Sequence, residues 1–172
     1  MASGNFASRI VDVDRQAAST TAIRHDDTVV SYHELDEQSA QITQLLRSRG
    51  IGAGDRIAMQ LPNCAHFPAI YFGILRRGAI VVPMNPLLKA REIGHQLADS
   101  GAGLLFAWRD MADEANHAAQ ATGVPLIVVE PERIEALSKA NALLSRFHQI
   151  RRRAVEEGQN PTIKDSLAAL NA

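Results

Sequence analysis

Residues 56–86, RIAMQLPNCAHFPAIYFGILRRGAIVVPMNP, read as a strand, a buried amphipathic helix and a second strand, and the rest of the chain must be arranged around them. The first apolar run, 57–61, has strand length and stops at Pro62-Asn63, where proline cannot donate to a ladder and asparagine is a favoured helix cap. A helix is predicted to start from Asn63. Phe67, Ile70, Tyr71, Ile74 and Leu75 then recur at helical spacing and form one wide apolar stripe, the mark of a helix laid on a sheet. Arg76-Arg77 bring positive charge to its last turn, and Gly78 supplies the stop before 79–84 turns apolar again. Two strands joined through such a helix are predicted to be parallel.

On the N-terminal side, residues 1–20 are small and polar without clear period, and are expected to be a flexible arm with a short helix near 11–18. Runs 22–25 and 28–31, parted by Asp26-Asp27, suit a tight hairpin. Ser31 and Glu34 have capping-box spacing, so a helix is predicted from Tyr32, with Leu35, Ile42 and Leu46 on one side and Gln38 and Ser39 interrupting the stripe. It should end by Gly50. After residue 84, Asn85-Pro86 is expected to cap and open a helix carrying Ile93 and Leu97, stopped by Gly101. Strand 104–108, helix 111–122 and strand 125–130 complete an α/β subdomain over 21–130, a small parallel sheet with crossover helices and an N-terminal β-hairpin. Residues 131–172 lack a strand-like run and read as a helical tail, with Ile134, Leu137, Leu144 and Phe147 near one face.

A formal charge of −1 gives no general attraction to nucleic acid or anionic membrane, and no apolar stretch approaches the roughly 18 residues of a spanning helix. No secretory leader is recognised, and the single cysteine, Cys64, agrees with a reducing compartment, so the expected location is cytoplasmic. There is no Gly-rich loop ending in Lys and Ser or Thr. The six histidines lack metal-ligand spacing, Asp26-Asp27 reads as a turn, and Arg151, Arg152 and Arg153 read as a solvated face. No catalytic or metal-binding residue is assigned. Ligands of open α/β sheets settle at the carboxyl ends of strands, which leaves Asn63 and Asn85 as crevice candidates, both of them read first as helix caps.

Residues 28–108 also resemble the N-terminal subdomain of the AMP-forming adenylating enzymes, which include acyl-CoA synthetases, luciferases and peptide-synthetase adenylation domains. The resemblance rests on Val30-Ser31-Tyr32-His33-Glu34-Leu35, Gly54-Asp55-Arg56-Ile57-Ala58, Leu61-Pro62-Asn63 and the run LRRGAIVVPMNP at 75–86, in matching order and spacing. Asp99-Ser100-Gly101-Ala102 before a strand is similar too, and Asn85-Pro86-Leu87 is closer in style to acyl-CoA synthetases. The resemblance implies ATP-dependent activation of a carboxylate to an acyl-adenylate and transfer to CoA, with magnesium at the phosphates. In that family the phosphate loop, ribose-binding acid, hinge and catalytic lysine all follow the region covered. Lys89, Lys139 and Lys164 stand in other contexts, and no functional residue carries over.

The chain is therefore expected to be a partial, acyl-CoA synthetase-like protein, inactive alone and without a cofactor of its own. A complementing subunit, or self-association through an apolar subdomain face or the tail, is the expected partnership. The alternative is a non-enzymatic binding or oligomerisation module that uses the tail. A small-molecule enzyme on a flavodoxin-like sheet has only fold class behind it.

Overall fold

A computed structural model describes residues 5–130; residues 1–4 and 131–172 lie outside the described residues, and with them the predicted helical tail and its apolar positions. The chain runs α1 (Ser8–Ala17), β1 (Thr21–His25), β2 (Thr28–Ser31), α2 (Tyr32–Ser48), β3 (Arg56–Gln60) and α3 (His66–Arg76). It continues through β4 (Ile80–Pro83), α4 (Ala90–Ser100), β5 (Leu104–Trp108), a 3-10 turn at Arg109–Met111, α5 (Ala112–Thr122) and β6 (Leu126–Val129). The α/β class and the hairpin are as the sequence predicts. β1 and β2 pair antiparallel about Asp26, whose φ of 49° is the left-handed turn conformation that aspartate tolerates. β4, β3, β5 and β6 lie side by side in that order, all parallel.

β3 and β5 are buried along most of their length because both faces of the sheet are covered. Ala58, Leu105 and Ala107 pack with Ile93 and Leu97 of α4 and Ala115 and Ala118 of α5. Successive strand residues point to opposite faces, so Ile57, Met59, Leu104 and Phe106 face the other way, and they are equally buried. α2 and α3 pack on each other, and α3 lies against β4.

The α2–α3 contact explains the break in the α2 stripe. Ser39 is fully buried, and Gly73 of α3 sits against Ile42 and the Ser39 carbonyl with no room for a side chain. The Thr43 hydroxyl donates to both the Ser39 and Gly73 carbonyls, at 2.9 and 3.0 Å. Small and polar positions are thus the seam between two helices in close approach. Arg76 extends the seam by donating to the Asp36 carbonyl at 3.1 Å and pairing with the Asp36 carboxylate, while Arg77 donates to the Ile51 carbonyl at 2.6 Å. Within the segment expected to be a loose arm, α1 starts at Ser8 and buries Ile10 with Val30, Leu35 and Ala69. No helix among the described residues is long and apolar enough to cross a membrane.

Candidate functional site

The strand order decides where a ligand crevice can open. From β3 the chain steps to β4 on one side, then returns across β3 to place β5 on the other, so the connections diverge between β3 and β5. The carboxyl ends at that divergence are Gln60 and Trp108. Sequence order had pointed to the ends of β3 and β4 instead.

Asn63 and Asn85 both border this edge, but neither caps a helix. Asn63 is exposed in a bend, and α3 begins at His66 behind Ala65, which has helical dihedral angles and no side-chain cap. Pro68 is the reason. A helix capped by Asn63 would need the Pro68 nitrogen to donate to the Cys64 carbonyl, whereas starting at His66 puts proline third, where no intrahelical donor is required. Asn85 likewise shapes a turn: its side-chain oxygen accepts from the Leu87 N–H at 2.9 Å and its carbonyl from the Leu88 N–H at 3.2 Å. α4 does not begin at Pro86 but at Ala90.

Two groups hold that later start. The Gln60 side chain is fully buried, and its amide Nε2 donates to the carbonyls of Pro86 and Leu88 at 3.2 and 3.3 Å. Helix starting at Pro86 would offer those carbonyls to Ala90 and Glu92 instead. The Ala90 N–H is also taken, since it donates to Glu114 of α5 at 2.9 Å. Gln60 Oε1 has no hydrogen-bond partner among the described residues.

The α4 N-terminus is crowded with charge. The Lys89 N–H donates to Glu92 at 2.9 Å, and the Lys89 ammonium pairs with Glu114 at 3.2 Å. The hydrogen bond from Ala90, and then Lys89, hold the Glu114 carboxyl below its ordinary value. The positive helix end is therefore already satisfied by the protein's own carboxylates. Beside it, Leu88, Lys89, Arg91, Glu92, His95 and Gln96 line an open groove of about 870 Å³. Arg91 has no ion-pair partner among the described residues.

At the divergence itself, the His66 ring stands 6.3 Å from the Trp108 ring, tilted by 35°, and so links the start of α3 to the end of β5. Neither residue was singled out from the sequence; only the strand order brings them together. Cys64, between Asn63 and His66, is half-buried, and burial pushes its thiol up, away from the thiolate a nucleophile needs. Among the described residues, no three His, Cys, Asp or Glu side chains gather as a metal site. The described residues at this edge shape a wall and hold a loop.

Comparison with known proteins gives the context. Residues 11–170 match the AMP-binding enzyme family. This corrects the extent read from sequence motifs, 28–108, since the match starts at residue 11 and runs to residue 170. A long-chain-fatty-acid–CoA ligase of Salmonella typhimurium is 37% identical over 102 residues, covering 59% of this chain and 18% of the relative. A fatty acid–[acyl-carrier-protein] ligase of Streptomyces coeruleorubidus is 31% identical over 130 residues, 76% of this chain and 24% of the relative. Among solved structures, a benzoate CoA ligase from Burkholderia xenovorans LB400 superposes with a TM-score of 0.74 at 26% identity, over 80% of this chain and 29% of that one. The chain spans about a fifth of the length of the curated relatives it matches.

Proposed function

Because this chain belongs to the AMP-binding enzyme family, we propose that residues 5–130 are the opening scaffold of an acid–thiol ligase and do not themselves carry out adenylation. In the reaction proposed for the whole assembly, a carboxylate displaces pyrophosphate from ATP, and the acyl group then passes from AMP to the thiol of CoA. The described residues contribute a wall and a fixed loop to that chemistry. Gln60 sets the path of 86–88, and the groove beside Arg91 and His95 lies at the emergence of α4. ATP, magnesium and the acid are held by segments outside residues 5–130, supplied by further chain or by a complementing subunit.

The observation that carries this reading is the family match, joined to a carboxyl edge on which the described residues place neither a phosphate-binding lysine loop nor a metal cluster. The test is carboxylate-dependent exchange of labelled pyrophosphate into ATP by the purified chain with magnesium, across short, long and aromatic acids. No exchange above a no-acid control is expected. Exchange with any acid would mean that this chain holds a complete nucleotide site, and the scaffold reading would be wrong.

A further inference from the structure

The segment between β4 and α4 carries two conflicting instructions. Its local signal is helical: asparagine is a favoured cap, proline a favoured first residue, and Leu87, Leu88, Lys89 and Ala90 are all good helix formers. The first step of that signal is carried out. The Asn85 side-chain oxygen accepts from the Leu87 N–H and its carbonyl from the Leu88 N–H, as a capping asparagine does for a first turn. Lys89 then interrupts it. Its backbone is extended, with φ −92° and ψ 163°, and α4 starts afresh at Ala90.

The interruption is imposed from outside the segment. Gln60 of β3 holds the Pro86 and Leu88 carbonyls, and Glu114 of α5 holds the Ala90 N–H. A continuous helix would satisfy the same groups from within, the Ala90 N–H on the Pro86 carbonyl and the Glu92 N–H on the Leu88 carbonyl. Each arrangement therefore pairs these backbone groups, and only their partners change. Leu87 is 79% exposed, so the separate turn is not held by burial of its side chain. A local preference overruled by two remote side chains is the makings of a bistable element. We propose that residues 86–89 form a two-state segment, either clamped as a separate turn by Gln60 and Glu114 or wound onto α4 as one helix capped by Asn85. Leu88 and Lys89 line the groove beside Arg91, so the two states give that groove different walls. The proposal does not rest on the adenylation reading.

The experiment compares backbone NMR shifts of the isotopically labelled full chain with those of variants that release the clamps. In Gln60→Met with Glu114→Ala, the Lys89 Cα shift should move from the extended side of its random-coil value to the helical side, and contacts between residues three apart should appear across 86–90. Glu114→Ala alone changes a partly exposed side chain, leaves the buried glutamine in place, and should move Lys89 less but in the same direction. Asn85→Ala added to either variant removes the cap of the wound state and should reverse the gain. Random-coil shifts over 86–89 in the released variants would mean that the segment frays rather than winds, and would overturn the proposal. So would an extended Lys89 that is unmoved in Glu114→Ala, or a helical gain that survives Asn85→Ala.

Discussion

Gly73 of α3 and Ile42 of α2 meet so closely that a β-carbon on the glycine would stand 2.5 Å from that of the isoleucine. The Ser39 carbonyl would lie 2.9 Å from the same atom, and a backbone oxygen cannot swing aside. Glycine inside a helix ordinarily costs about 1 kcal/mol relative to alanine, so helix propensity alone argues that Gly73→Ala stabilises. Overpacking, at about 1–3 kcal/mol, acts in the opposite sense and wins here. Gly73→Ala should lower the urea midpoint, and adding Ile42→Ala should not restore it fully, because alanine keeps the β-carbon of residue 42 and the Ser39 carbonyl also remains. A midpoint equal to or above that of the parent would show that α2 and α3 separate freely.

Arg76 uses two donors at once, one on the Asp36 carbonyl and one on its carboxylate. Both side chains are largely buried, at 15% and 23% exposure, so solvent screening weakens the pair less than it would a surface contact. Lysine carries the same charge without the planar fork. Arg76→Lys is expected to lose about 1 kcal/mol, read from thermal or urea unfolding, and Arg76→Met more. Indifference to the lysine would reduce the contact to charge alone.

Gln60 offers a sharper contrast. Its Nε2 serves two carbonyls of the 86–88 loop, and its Oε1 serves none among the described residues. Gln60→Met loses two hydrogen bonds, at about 1 kcal/mol each, but also removes a buried orphan acceptor. Gln60→Glu turns a carboxylate toward the same carbonyls without a compensating cation and should cost at least about 3 kcal/mol at neutral pH. Hydrogen exchange at Leu87 and Leu88 would report release of the loop in both variants; retained protection in Gln60→Glu would contradict the clamp.

Two carboxylates make the fold sensitive to acid. Glu34 is held below its ordinary value of 4.5 first by the Ser31 backbone N–H and then by the Ser31 hydroxyl, and Glu114 by the Ala90 N–H and Lys89. A depressed folded-state pKa means that the stabilisation is complete well above 4.5 and fades as the pH falls through that value and below it. Unfolding free energy measured from pH 7 downward should therefore decline in the acid range, and the decline should be shallower in the double variant Glu34→Gln, Glu114→Gln. Identical slopes would locate the acid sensitivity elsewhere.

The sequence displays what is local and conceals what depends on strand order. Ser31 and Glu34 are three residues apart, and both halves of their capping box form as predicted, with Glu34 N–H on the serine oxygen at 3.2 Å and Ser31 N–H on the carboxylate at 2.7 Å. Asn63 misled because its cap propensity was weighed without Pro68, a signal already present in the sequence. Asn85 misled for a reason no local pattern carries: Gln60 and Glu114, remote in sequence, take the groups that a helix at Pro86 would need. His66 and Trp108 were invisible as a pair because β5 joins β3 only after β4 has been laid on the other side. Ser39, which looked like a defect in a stripe, is the contact itself.

The strand order also sets a timetable for synthesis. β3 can pair with β4 as soon as α3 and β4 have left the ribosome, but its other side waits for β5, which ends at Trp108. At about 5–20 residues per second, that apolar edge stays unpaired on the order of seconds, long enough to meet another nascent chain. Polypeptides arrested just before Leu104 should therefore aggregate more readily than those arrested beyond Trp108, and the hazard should pass once the central strand has acquired its second neighbour.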